Sequence, residues 1–432
     1  MNVLTYDALL IRGGRIIDPY TGRDEIADVA VERGVIARHA AKSSAVLDAT
    51  GLIVCPGLMD IHVHLREPGQ TNKETIATGT VAAAAGGFTY VACMPNTRPP
   101  LDNADSIRYV LEHAQATGYG TVGPVAAITR GRSGREVTDF ASLKAAGAVA
   151  FSDDGDGVED DAVMRAAFIR AKAIDAVLIQ HCEYKAISTG GVMHLGDVSR
   201  RIGLPGLDPR SEEAMIERDI DLCRETGGRY HVAHISTARS VELVRRAKTE
   251  GLPVTAEVCP HHLLLTDEAC AAMDPNTKMH PPLRTAADVA ACLRGLLDGT
   301  IDCIVSDHAP HTTEEKSRGF LKAPPGIVGL ETALGLSAKA LIEPKLAAWP
   351  RVIGWLTSGP SRVLGLPQSP IEPGGAANLT LIDPAAKWIV DPGCFKSLGR
   401  NTPFSGWELR GRAAGVIVDR RAIGVSALLD VA

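Results

Sequence analysis

Histidines and carboxylates recur in this sequence where apolar runs end. His62 and His64 close Asp60-Ile61-His62-Val63-His64, Asp153 and Asp154 precede Gly155, and His181 and Glu183 flank Cys182. His234 lies near the end of the run from Tyr230 to Ile235, and Asp307, His308 and His311 fall in Ser306-Asp307-His308-Ala309-Pro310-His311. Imidazole is a neutral donor to zinc-like ions, and a carboxylate can span two of them. A single His-x-His pair is weak evidence, because most such pairs are hydrogen-bonded structural residues. Any one polar residue at a strand end is more often a satisfied cap. Four histidines with two or three carboxylates, gathered at one rim, suit a pair of ions. Ions about 3.5–4 Å apart make water nucleophilic at neutral pH and polarise a carbonyl, so the expected chemistry is hydrolytic. A serine or cysteine nucleophile has less support: there is no Gly-x-Ser-x-Gly elbow, and Cys182 reads as packing beside His181.

Those residues need elements to bring them together. Apolar runs of strand length occur at 52–54, 88–94, 122–128, 148–151, 176–179, 230–235, 253–258 and 302–305. Leu52 to Val54 reads as a buried strand whose alternation continues through the His-x-His pair, placing both imidazoles on one face. Between the runs lie segments of helical periodicity at 73–85, 104–116, 161–173, 211–226, 238–250 and 285–297, several opening at a capping residue such as Ser211 and closing at glycine. Eight strands alternating with helices predict a (β/α)8 barrel, in which functional groups come from the C-terminal strand ends. An open doubly wound sheet would call for an early Gly-x-Gly-x-x-Gly turn, which is absent. Both chain ends instead carry short alternating runs between Gly/Pro turns. They predict a small β-sandwich domain built from residues 1–54 and 366–432, flanking a barrel over 55–365.

Composition excludes several partners. The 432 residues carry a formal charge of −6, which leaves no basic footprint for nucleic acid, and no Lys/Arg tract suggests a membrane surface. No apolar run reaches the roughly 18 residues of a membrane span, and Met1 to Ile17 lacks the pattern of a secretory leader. Nine cysteines are scattered with no Cys-x-x-Cys, which fits reduced thiols in a cytoplasmic protein. A small-molecule substrate is expected.

Together, Asp60-Ile61-His62-Val63-His64-Leu65-Arg66-Glu67-Pro68-Gly69, Met94-Pro95-Asn96, Phe151-Ser152-Asp153-Asp154-Gly155, His181-Cys182-Glu183, Ser306 to His311 and Ala323-Pro324-Pro325-Gly326 resemble the dihydroorotases of the amidohydrolase superfamily, over residues 5 to 425. The likeness is to the long bacterial type. It implies reversible cyclisation of N-carbamoyl-L-aspartate to L-dihydroorotate in pyrimidine (UMP) biosynthesis, and two Zn²⁺ per subunit. By resemblance His62, His64 and Asp307 hold one ion, His181 and His234 the other, and Asp154 bridges them, with Asp153 structural. Many relatives, dihydropyrimidinases among them, bridge with a carbamylated lysine at the end of strand four, where this chain has none. Asp307 is also the expected proton shuttle. His64, Arg66, Asn96, His280, His311, Pro325 and Gly326 are the expected substrate contacts, Arg66 as a carboxylate clamp. His280 departs from the family, which usually has an asparagine there. His39, His113, His194, His231, His261, His262 and His308 are expected to be structural, His231 being turned away from the site by strand alternation. The polar loop 312–319 is expected to act as a lid. Two other readings share parts of this pattern: another cyclic amidohydrolase such as an allantoinase or hydantoinase, and a non-catalytic partner of aspartate transcarbamoylase. A homo-oligomer, with possible association with that enzyme, completes the expectation.

Overall fold

A computed structural model describes residues 1–428; residues 429–432, the end of the segment expected to complete the β domain, lie outside the described residues. Eight parallel strands pair in chain order: β1 (Leu58–Val63), β2 (Phe88–Cys93), β3 (Thr121–Ala126), β4 (Ala150–Phe151), β5 (Val177–Gln180), β6 (Arg229–Val232), β7 (Val254–Val258) and β8 (Cys303–Ile304). Alternation sorts their side chains into two sets. Val91, Ala126, Phe151, Leu178 and Val232 pack against the helices, while Ala92, Val125, Ala150, Ile179 and Cys303 share a second cluster inside the barrel. The chain thus forms the expected (β/α)8 barrel with a β domain assembled from both ends.

The helices follow local signals closely. Ile76–Gly86 starts at a Thr75 capping box, Ala104–Thr117 at Asn103, Asp161–Ala173 at Asp160 and Ala286–Asp298 at Thr285. Ser211 is not a cap. It lies inside Arg210–Thr226, behind Pro209, and its hydroxyl donates to the Tyr184 carbonyl at 3.2 Å.

The first expected strand is two strands. Ile53–Pro56 belongs to the terminal sheet, antiparallel to Asn378–Ile389 and parallel to Ala8–Asp18. The chain then crosses at Gly57 to begin β1. A Cβ at Gly57 would lie 1.9 Å from the Thr89 hydroxyl oxygen, so only glycine lets the sheet and barrel meet this closely. The nine terminal strands form one hydrogen-bonded network, branched at Ala8–Asp18, around Leu9, Ile11, Ile16, Leu47, Leu379 and Ile417.

Barrel closure between β1 and β8 is the weak seam. No regular ladder joins them; one parallel bridge pairs Val63 with His308, and the His64 amide donates to the His308 carbonyl at 2.8 Å. Asp60 supplies the rest: its Oδ2 accepts from the Ser306 amide at 3.0 Å and its Oδ1 from the His62 amide at 3.1 Å. Burial raises the Asp60 carboxyl to about 7. Asp60→Ala orphans two buried N–H groups at about 1–3 kcal/mol each. Chemical denaturation is expected to show a loss of about 2–6 kcal/mol, and wild-type stability would show that the seam closes without this carboxylate.

Candidate metal centre and substrate cavity

The strand ends converge as their spacing predicts. Asp154 Oδ1 lies 3.2 Å from His62 Nε2, 3.7 Å from His181 Nδ1 and 3.8 Å from His234 Nε2, and its Oδ2 lies 3.5 Å from His64 Nε2. Asp307 Oδ1 is 3.0 Å from His64 Nε2 and 3.8 Å from His62 Nε2, and His181 Nδ1 faces His234 Nε2 at 2.9 Å. All six residues are buried. Four imidazoles therefore surround one carboxylate, with a second carboxylate on the His62/His64 side.

The charge balance of this cluster asks for a cation. Burial works against protonating His62, but Glu257 and Asp154 override it and hold its pKa well above the ordinary value. His181 is held down to about 3 by burial and by the neighbouring His234 and His280, and His234 is lowered by burial and His62. Histidines kept neutral are the form that ligates metal. His62 Nε2 and Asp154 Oδ1 are buried with no hydrogen-bond partner, although each faces the other residues of the cluster. Two buried lone-pair atoms without a hydrogen-bond partner suit a cation, because buried polar atoms otherwise find partners. The residues present thus fit a metal centre.

Several of these residues hold backbone conformations that cost energy. Arg66, His234 and Asp307 have φ of +59°, +31° and +47°, a region disfavoured for side chains larger than glycine. All three sit where the chain leaves a strand. The turn at His234 also corrects the expectation for His231. Strand β6 ends at Val232, so alternation does not carry through to His234, and His231 points into the barrel rather than away. There His231 Nδ1 meets Thr255 Oγ1 at 2.7 Å and Nε2 meets Glu257 Oε2 at 3.1 Å. It touches none of the six clustered residues, so it remains structural.

Glu257 is the residue that sequence reasoning missed. Its Oε1 lies 2.5 Å from His62 Nδ1 and also accepts from the His234 amide at 3.2 Å. It fixes which His62 nitrogen is left for a metal. The cue that picked out the other residues was present, since Glu257 is an acid near the end of an apolar run. Asp153 turns away from the cluster as expected, its Oδ1 accepting from the Thr129 amide at 3.0 Å and its Oδ2 from the Thr129 hydroxyl.

Beside the cluster opens a cavity of about 230 Å³ lined by Arg66, Asn96, His280, His311, Pro325 and Gly326 together with His64, Asp154, His181, His234 and Asp307. Every residue expected to touch substrate is on its wall. Arg66 is anchored by Nε donating to the Pro310 carbonyl at 3.2 Å; burial lowers it to about 10, so it stays cationic at neutral pH. Asn96 accepts from His64 Nδ1 at 2.8 Å and donates to Asp154 Oδ2 at 3.3 Å, which ties it to two cluster residues at once. His311 Nε2 donates to the Pro325 carbonyl at 2.9 Å; burial and the Arg66, Lys73 and Lys316 cations push it down to about 2. His280 Nε2 lies 2.9 Å from Glu183 Oε2, and its ring stacks on His181 at 4.9 Å between centroids.

Two further features were not legible. Asn401, from the C-terminal segment, donates to the Ala309 and Gly326 carbonyls, both at 3.0 Å, and accepts from the His311 amide at 3.1 Å. The expected lid begins as a capped helical turn, Thr313–Lys316, and buried Lys316 donates to the Pro324 and Gly326 carbonyls at 3.0 and 3.1 Å. Gly326 has φ of +116°, and a Cβ there would sit 2.8 Å from the Ala309 methyl, which explains glycine in that wall.

Known proteins resemble this chain over most of its length. Residues 51–240 match the family model described as dihydro-orotase-like. The dihydroorotase of Pelotomaculum thermopropionicum is 51% identical over 419 residues, covering 96% of this chain and 98% of that protein. Those of Anaeromyxobacter dehalogenans and Geobacter metallireducens are 48% and 45% identical, each covering 96% of this chain and 98% and 99% of theirs. Among solved structures, the L-hydantoinase (dihydropyrimidinase) from Arthrobacter aurescens superposes with a TM-score of 0.84 at 24% identity, covering 95% of this chain and 94% of that one, a likeness of fold. Fold and site together define a cyclic amidohydrolase of the barrel type. Within that class, the chain belongs to the dihydroorotase family.

Glu257→Gln replaces a carboxylate that holds His62 and His231 with an amide of similar shape. Metal affinity is expected to fall about 10–100-fold, measured by competition with a chromogenic chelator. Wild-type affinity would mean that His62 needs no such support.

Proposed function

We propose that this chain interconverts N-carbamoyl-L-aspartate and L-dihydroorotate with two zinc ions. The observation that carries the reading is the cluster around Asp154, with four imidazoles within 3.8 Å of one carboxylate at the wall of a substrate-sized cavity. In this reading His62, His64 and Asp307 would hold one ion, His181 and His234 the other, with Asp154 placed to serve both. Among the described residues no lysine joins the cluster, in keeping with an aspartate bridge. When bound, the ions make water nucleophilic at neutral pH and polarise the amide carbonyl that it attacks.

The remaining work falls to the chain itself. Asp307 engages His64 through Oδ1, and its carboxylate takes a proton from the attacking water and passes it to the ring nitrogen as the C–N bond breaks. In the cyclising direction it starts protonated. Its ordinary acidity favours the charged form here: burial opposes ionisation, but His64 and His62 hold the carboxyl below its usual range. Arg66, held by Nε at the Pro310 carbonyl and with Nη2 3.5 Å from His311 Nε2, binds the substrate carboxylate through its remaining guanidinium N–H groups. Asn96, His280 and His311, with the backbone of Pro325 and Gly326, orient the ureide. The intact cluster argues against a purely scaffolding role, which has no use for six ligands. The reading also includes a cytoplasmic, homo-oligomeric enzyme able to associate with aspartate transcarbamoylase; sedimentation of the chain alone and mixed with that enzyme tests the last two points. The described residues contain no helix long and apolar enough to cross a membrane.

Ring opening of L-dihydroorotate should be lost on chelation and restored by zinc. Allantoin and dihydrouracil should be poor substrates by comparison; preference for either would reassign the substrate within the same class. Asp307→Ala should abolish turnover at every pH, and retention of wild-type kcat would remove Asp307 from the proton path. Arg66→Lys keeps the charge and loses the bidentate fork, so KM should rise about 10–100-fold with a smaller change in kcat.

A further inference from the structure

A second cavity adjoins the substrate wall. It measures about 440 Å³ and is lined by Lys316, Arg400, Asn276, Thr313 and Ser317, with His311 common to both cavities. No carboxylate lines it. Lys316 is buried, yet its Nζ donates only to the Pro324 and Gly326 carbonyls, at 3.0 and 3.1 Å. An ammonium has three N–H groups, so one is left without a partner among the described residues. Arg400 commits Nη1 to the Ser397 and Gly399 carbonyls, which leaves Nε and Nη2. Buried Lys278 is held by the Leu321 carbonyl alone, at 3.0 Å. Burial and the nearby Lys278 charge draw Lys316 down to about 8, still mostly cationic at neutral pH. The acids that act on Lys316 from a distance are engaged elsewhere: Glu315 pairs with Lys73 at 2.8 Å, and Asp274 caps the Asn276 amide at 2.9 Å. Among the described residues, none of these three cations has a carboxylate at ion-pair distance.

Buried cations in folded proteins are normally paired, and a chain of formal charge −6 does not lack acids to pair them. Two buried lysines and an arginine left without one, at a cavity large enough for a small ligand, mark a place where the counter-charge comes from outside. We propose that this cavity binds a dianionic small molecule, a phosphate or a dicarboxylate, beside Lys316 and Arg400, as a site separate from the substrate cavity. Nε and Nη2 of Arg400 suit a forked contact to such an oxyanion, and Lys316 supplies a point charge. Asn276, Thr313 and Ser317 add neutral donors around it. The occupant lies against the Pro324–Gly326 loop, because Lys316 holds two carbonyls of that loop. This site does not depend on which cyclic amide the chain turns over.

Calorimetric titration of the full-length, metal-loaded chain with inorganic phosphate and, separately, with succinate tests this. At least one of the two should bind, and which one does identifies the source of the dianion. Arg400→Gln should weaken that binding about 10–100-fold, the worth of charge-assisted hydrogen bonds. Lys316→Met should weaken it as far, but it also cuts two carbonyl bonds, so Arg400→Gln, at an exposed side chain, decides the point if Lys316→Met does not fold. Binding of neither anion, or binding of equal strength in wild type and Arg400→Gln, overturns the proposal. Crystals soaked with the anion that binds place it independently: density beside Lys316 and Arg400 supports the site, and density only at the Asp154 cluster overturns it. These readouts use no turnover, so a chain inactive on dihydroorotate loses its substrate assignment while this site is still judged.

Discussion

A carboxylate buried among four imidazoles is stable only if positive charge is shared between them. Asp154 is in that position, with both oxygens inside a shell of ring nitrogens and almost no solvent. A proton satisfies one nitrogen at a time, whereas a divalent cation would satisfy several donors together. The rest of the barrel rim is arranged around that electrostatic demand. His181 is kept neutral by burial, His234 and His280, and His234 is lowered by burial and His62, while His62 is biased the opposite way by Glu257 and Asp154.

The layer beneath the rim gives the cluster its rigidity. Glu257 holds His62 and His231, and Asp60 ties the amides of His62 and Ser306 across the seam between β1 and β8. Metal geometry and barrel closure therefore share the same few residues. The left-handed φ values at Arg66, His234 and Asp307 belong to this arrangement: each strand must turn sharply as it ends for its side chain to face the common centre. Such strained corners persist because the surrounding hydrogen bonds over-determine them.

The cavity wall is assembled from farther away. Asn401 joins the Ala309 and Gly326 carbonyls to the His311 amide, so a C-terminal segment sets the distance between the β8 loop and the Pro325–Gly326 loop. The terminal β domain is thus connected to the site through the chain that precedes its last strands. Its contact with the barrel at Gly57, where no Cβ fits beside Thr89, fixes the start of β1 and with it the height of His62 and His64.

Much of this was written locally. Apolar runs of strand length located seven of the eight barrel strands, five run ends carried the His and Asp residues that cluster, and capping residues with terminal glycines located the helices to within a few residues. Those signals are legible because strand alternation, helix periodicity and caps depend on neighbours in sequence. The first strand was misjudged because Ile53–Pro56 and Leu58–Val63 are both apolar and nearly continuous; only their partners, Asn378–Ile389 and β2, tell them apart. Alternation failed at His231 for a related reason, since a turn of left-handed φ at His234 resets the count and sequence periodicity contains no sign of it. The roles of Glu257, Asp60 and Asn401 required the tertiary structure, because each acts on a group brought near by folding: 195 residues separate Glu257 from His62, 246 separate Asp60 from Ser306, and 90 separate Asn401 from His311. The amino-acid sequence by itself determined which side chains could bind metal and on which elements they ride; the packed barrel decided which of their nitrogens and oxygens face one another, since that depends on hydrogen bonds between residues remote in the chain.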